Sequence, residues 1–250
     1  MRFAKFVLLL LVLVSAVEQA ESRGQKREEL AKIKTDLARA YFTNGDVRSA
    51  IAAIDEAVRL DGNFAPAWLV RAQIYQYMKE PAQVEQSFQR AFSAREFAGE
   101  TNNNYGWYLC QSNQVDKSLS YFDKAIADRT YPNPQIAMMN KGICLGKIGR
   151  TEEAGQVLLE SARMSPPNYP FPYRELARLH AEAGNGTLAG LYFQQYINVV
   201  GGNLGPEDLF VGVKVGRLTN NQDMVNEYLE TLKAKFPVSE ELQQLLSGER

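Results

Sequence analysis

From residue 31 onward, apolar residues recur at intervals of three and four, the stripe of an amphipathic helix, and the stripes come in pairs divided by short breaks. Leu37, Ala38 and Tyr41 mark the first stripe, and Ala50, Ile54 and Ala57 the second. Asn44-Gly45-Asp46 separates them, with Gly45 suited to a left-handed helix end and Asp46 to capping the helix that follows. The small side chains of Ala38 and Ala50 let two helix backbones approach, while Tyr41 and Ile54 fill the space on either side.

The pair repeats. Tyr41 and Tyr75 are 34 residues apart, as are Ala38 and Ala72, Ile54 and Phe88, and Ala57 and Ala91. Gly106, Phe122 and Ala125 keep the same phase, and Gly142 follows Gly106 after 36 residues. The insertion is visible as Tyr131-Pro132-Asn133-Pro134, whose prolines open a helix rather than continue one. A fifth pair contains Leu176-Ala177, Gly184, Ala189 and Phe193. A looser sixth contains Gly212-Val213, Val225, Leu229 and Pro237. The order of large, small, aromatic, turn, Ala, aromatic, Ala and Pro resembles the tetratricopeptide repeat (TPR). That resemblance implies an all-α solenoid of about six helix-turn-helix repeats in a right-handed superhelix. The repeats are expected at about 31–64, 65–98, 99–134, 135–169, 170–205 and 206–239, with a short capping helix in 240–250.

Composition changes the picture little. With 28 Lys+Arg against 29 Asp+Glu and 45% hydrophobic residues, the chain is an ordinary globular one with no basic excess for nucleic acid. The N-terminus adds more. Arg2 and Lys5 precede an apolar run from Phe6 to Val14 and then Ser15 and Ala16, the pattern of a secretory signal peptide, expected over residues 1–20. The mature chain, 21–250, is therefore expected to be exported.

Candidate catalytic chemistry is sparse. His180 is the single histidine and takes the packed-face position of Tyr41 and Tyr75, so a structural role is expected. The pairs Asp55-Glu56, Glu152-Glu153 and Glu240-Glu241 fall on outer faces or first turns of helices, where carboxylates complement the helix dipole. Gly201-Gly202-Asn203-Leu204-Gly205 lacks the Gly-Lys-Ser/Thr ending of a phosphate loop. No catalytic residue, metal ligand or cofactor is expected, and the chain reads as a protein-binding scaffold rather than an enzyme.

Cys110 and Cys144 fall on the first helices of adjacent repeats, close enough for a disulfide in an oxidising compartment; two buried thiols are the alternative. The same first helices should line a partner-binding groove. Candidate lining residues are Gln73, Tyr77, Asn103, Asn104, Trp107, Met139, Asn140 and Ile143. Asn104 and Asn140 each stand two residues before a small-residue position, and their amides suit an extended peptide backbone. The competing reading has Asn104 capping locally and Trp107 packing between repeats.

One resemblance is narrower than the repeat. Asn103-Asn104-Tyr105-Gly106-Trp107-Tyr108-Leu109-Cys110, Tyr121-Phe122-Asp123-Lys124-Ala125, Thr130-Tyr131-Pro132 and Asn140-Lys141-Gly142-Ile143-Cys144 resemble the type IV pilus biogenesis/stability proteins of the PilW/PilF family. Phe236-Pro237-Val238-Ser239-Glu240-Glu241-Leu242 matches as well. The resemblance implies a periplasmic protein acting at the outer membrane, with the secretin or other pilus components as partners. An adaptor in envelope assembly or cell division is the alternative. Members are often lipoproteins, but no Cys precedes Cys110 here, so membrane contact is expected through a partner rather than a lipid anchor.

Overall fold

The computed structural model describes residues 24–94 and 97–248, so the signal peptide expected over residues 1–20 lies outside the described residues. Thirteen helices and no strand occur among the described residues. They are α1 (24–43), α2 (Val47–Leu60), α3 (Ala65–Tyr77), α4 (Pro81–Phe92), α5 (Ala98–Gln111), α6 (Val115–Ala127) and α7 (Pro134–Lys147). There follow α8 (Thr151–Met164), α9 (Phe171–Glu182), α10 (Gly186–Val200), α11 (Pro206–Leu218), α12 (Gln222–Lys235) and α13 (Glu240–Ser247). The chain packs as two units, one ending at Tyr105 and the other starting at Gly106, with the boundary inside α5.

Each pair of helices turns on the same corner. One residue at every corner has a left-handed backbone: Gly45, Lys79, Asn113, Gly149, Gly184 and Asn220, with φ between 55° and 79°. The next N–H reaches back five residues to a carbonyl of the helix just ended. Asp46 donates to Tyr41 (2.9 Å), Glu80 to Tyr75 (3.0 Å) and Gln114 to Leu109 (2.8 Å). Arg150 donates to Leu145 (3.0 Å), Asn185 to His180 (2.8 Å) and Asn221 to Gly216 (2.8 Å). This bond satisfies a helix-end carbonyl that would otherwise lack a donor, and it needs the left-handed residue to form. The following helix is then capped where the sequence allows: Asp46 accepts from the N–H of Ser49, Asn185 from Leu188 and Asn221 from Met224.

Between the two helices of a pair, a small residue faces a large one 16 positions later: Ala38 and Ile54, Ala72 and Phe88, Gly106 and Phe122, Gly142 and Leu158, Ala177 and Phe193, Gly212 and Tyr228. The glycines sit where a Cβ does not fit. One built on Gly142 lies 2.6 Å from Cγ of Leu158, and one on Gly212 lies 2.3 Å from the Tyr228 ring and 2.9 Å from Phe193. Large side chains on second helices thus pass directly over first-helix backbone.

In the first unit, Arg71 ties three helices together. Its guanidinium donates to Asp55 of α2 (3.1 Å), and to Ser87 (2.9 Å) and Gln83 (3.2 Å) of α4, while lying 4.6 Å from the Tyr75 ring centroid. Asp55 therefore serves as an ion-pair partner. At the C-terminal end, Leu242 and Leu245 of α13 bury against the cluster containing Leu232, Val211 and Val215. Ser239 caps that helix by accepting from the N–H of Leu242 (3.2 Å).

Two outcomes follow. Alanine ordinarily stabilises a helix interior by about 1 kcal/mol over glycine, whereas overpacking costs about 1–3 kcal/mol. Gly212→Ala is therefore expected to lower stability by about 1–2 kcal/mol in urea unfolding; an unchanged or raised midpoint contradicts the close approach. Lys79→Gly relieves a left-handed lysine and is expected to add about 0.5–1 kcal/mol. A loss of stability at that site shows that the corner does not hold this geometry.

Candidate functional site

The first-unit candidates divide. On α3, Gln73 and Tyr77 are exposed, Tyr77 at 67%, and the Tyr77 ring meets Phe42 edge-on at 5.4 Å. On α5, Asn104 is exposed and its amide nitrogen donates to the carbonyl of Glu100 (2.8 Å), so a local bond coexists with surface exposure. Asn103 departs from expectation: it is only 6% exposed and is not part of an accessible surface. Its phase explains this, because residues three and seven positions further along the helix, Gly106 and Cys110, are both buried.

In the second unit, a disulfide joins α5 to α7, between Cys110 and Cys144, whose Cα atoms are 6.0 Å apart. Both cysteines are buried with Val115 and Phe122, and Trp107 and Leu119 pack against them. Trp107 is thus half-buried, combining a packing role with an open edge. Met139, Asn140 and Ile143 on α7 are also half-buried. Met139 leans on the cluster around Leu145 and Leu158, so only part of it faces outward.

Residues beyond those expected complete this face. Lys147, at the end of α7, donates to Oε1 of Gln111 (2.7 Å) and lies 5.9 Å from the Trp107 ring centroid. Its neighbours across the gap to α9 are Glu175, Arg178 and Glu182, and together with Ile143, Gly146 and Leu179 they line a cavity of about 150 Å³. Burial and the nearby Arg178 charge hold the Lys147 ammonium below the usual lysine pKa. Next to it, Glu182, Lys214, Arg217, Leu218 and Leu245 line a wider hollow of about 710 Å³.

Behind the face, α9 docks on α11 through buried charge. Arg174 contacts Glu175, Glu207 and Asp208, each at 2.9 Å, and Arg178 binds the other oxygen of Glu175. Asp208 also accepts from the Tyr196 hydroxyl (2.8 Å) and the N–H of Gly205 (2.8 Å). Burial opposes the Arg174 charge, but Glu175, Glu207 and Asp208 outweigh it and raise its pKa. Burial and the bond to Asp208 likewise push the Tyr196 phenol upward. A faint sequence signal exists: Arg174 and Asp208 are separated by 34 residues. Moreover, the polar position of Asn104 and Asn140 continues as Glu175, two residues before Ala177.

His180 stacks on Tyr192 at 5.5 Å, and burial lowers its pKa, consistent with a neutral packed imidazole. Among the described residues, no group of three His, Cys, Asp or Glu is placed to hold a metal ion. No described helix is long and apolar enough to cross a membrane.

Comparison with known proteins places these features in context. Tetratricopeptide-repeat models match residues 31–74 and 104–169. The crystal structure of PilW, described as a widely conserved type IV pilus biogenesis factor, is 43% identical, covering 86% of this chain and 98% of PilW with a TM-score of 0.71. The type IV pilus assembly protein PilF of Pseudomonas aeruginosa strain PAO1 is 22% identical over 218 residues, 87% of this chain and 85% of PilF. A solved structure of P. aeruginosa PilF shares the fold, with a TM-score of 0.67 at 21% identity, covering 90% of this chain and all of that one.

The cysteines span 34 positions. Closing a loop of that length restricts the unfolded chain by about 3–4 kcal/mol in the chain-entropy model. Protein purified without reductant is expected to show no titratable thiol after denaturation, and reduction should lower its unfolding free energy by about 3 kcal/mol. Two titratable thiols in the unreduced protein exclude the bridge.

Proposed function

Because this chain belongs to the PilW family of type IV pilus biogenesis factors, we propose that it is a periplasmic scaffold that binds protein partners to support pilus biogenesis and assembly of the outer-membrane secretin. The observation that carries the reading is the 43% identity to PilW across 86% of the chain. The fold agrees with a holding role, since a stack of helical pairs presents successive first helices as a surface. In the second unit that surface carries Trp107 and Ile143 beside the cations Lys147 and Arg178, a mixture of aromatic anchor and charge common in protein interfaces. In the first unit, Gln73, Tyr77 and Asn104 are exposed. Contact with the outer membrane runs through the partner in this reading.

Deletion of the gene tests the assignment. The expected result is loss of surface pili and twitching, with fewer secretin multimers on denaturing gels and normal growth and detergent resistance. Intact piliation together with a general envelope or division defect contradicts a pilus role and favours an envelope adaptor.

A further inference from the structure

Among the described residues, Lys147 has no carboxylate partner. Its ammonium is held by the neutral amide of Gln111 and the face of Trp107. The neighbouring acids are engaged elsewhere. Glu175 is buried between Arg174 and Arg178, and Glu182 pairs with Lys214 at 3.6 Å. Arg178 stands close enough to Lys147 for its charge to be felt. The cavity they share with Ile143 and Gly146, about 150 Å³, would hold about five waters or one short side chain. At its edge Gly146 lets Leu179 approach closely: a Cβ there would lie 3.1 Å from Cδ1 of Leu179.

The surroundings indicate what enters. An aromatic and an aliphatic side chain, Trp107 and Ile143, flank the cation on one side. On the other, Glu182 borders both this cavity and the wider hollow lined by Lys214, Arg217 and Leu245. A chain crossing this face therefore finds room beyond the cavity on the side of Glu182. We propose that the cavity between α7 and α9 receives an aspartate or glutamate side chain from within an extended segment of a partner protein, its carboxylate on Nζ of Lys147 and an apolar neighbour against Trp107 and Ile143. The inference rests on the reading that this unit holds a partner segment, and it names the chemistry of that segment. A bound carboxylate supplies the missing counter-charge in a partly dehydrated site, where ion pairing is stronger than at an open surface.

The test uses the full mature protein and an array of overlapping 15-residue peptides covering the periplasmic regions of the pilus secretin and pilins of the same organism. Peptides retained by the wild-type protein are expected to carry an internal Asp or Glu beside an apolar residue, and to bind equally well with amidated C-termini. Lys147 is exposed enough for Lys147→Met and Lys147→Glu to fold, which circular dichroism verifies. Lys147→Met should weaken the retained peptides about tenfold and Lys147→Glu more strongly. Changing the peptide acid to its amide should cost wild type the same factor and Lys147→Met nothing further. A peptide with Lys in place of the acid should recover binding to Lys147→Glu. Peptides that bind wild type and both variants alike overturn the acidic-residue pocket but leave the scaffold reading standing. Loss of binding on amidation assigns the cavity to a chain terminus and equally overturns the proposal. If wild type retains no peptide, the segment-holding reading falls together with the pocket.

Discussion

Every helical pair in this protein depends on one backbone device: a left-handed residue at the corner and the hydrogen bond that the next N–H returns across five residues. Glycine meets that demand without strain at positions 45, 149 and 184, and asparagine tolerates it at 113 and 220. Lysine occupies it at 79 against its preference. The corner fixes the angle at which the second helix leaves the first. The small-over-large pairs can then form, because Gly142 must lie under Leu158 and Gly212 under Tyr228 for the pair to close. Without the corner, those glycines are merely weak helix residues.

Much of this is written in the sequence. Asn44-Gly45-Asp46 signals both the left-handed end and the cap, and the spacing of Ala38, Ala72, Gly106 and Gly142 gives the stacking register along with its insertion at Tyr131-Pro132. Other features are invisible to periodicity. Lys79 carries no turn signature, yet the register of its neighbours forces φ to 60°. Asn103 reads as polar surface in a run of three asparagines, but its phase is that of Gly106 and Cys110, and it is buried. Helical phase decides burial there, and residue type does not.

The candidate site was legible in its apolar half and not in its charged half. Trp107 and Ile143 stand out because they are large residues on a first helix away from the repeat's core positions. Lys147, Arg178 and the Arg174–Asp208 network do not, because charged residues on a helix ordinarily denote solvent. Only the structure shows that Glu175 is held by Arg174 and Arg178 within α9, and that Asp208 joins α11 to α9 through Arg174. That expenditure of acid leaves Lys147 unmatched beside a cavity. Arg178 is partly spent on Glu175, so the two cations are not equivalent: one is structural, the other is available.

In the proposed function, a pilus partner lies on the first-helix face of the second unit, around Ile143 and Lys147. A photo-crosslinking amino acid placed at Ile143 in cells that assemble pili tests it most directly, with a matched probe at Gln156, exposed on the second helix α8. The expected result is a specific adduct between the Ile143 probe and a component of the pilus machinery, and none from Gln156. An adduct from Gln156 with Ile143 silent would contradict it.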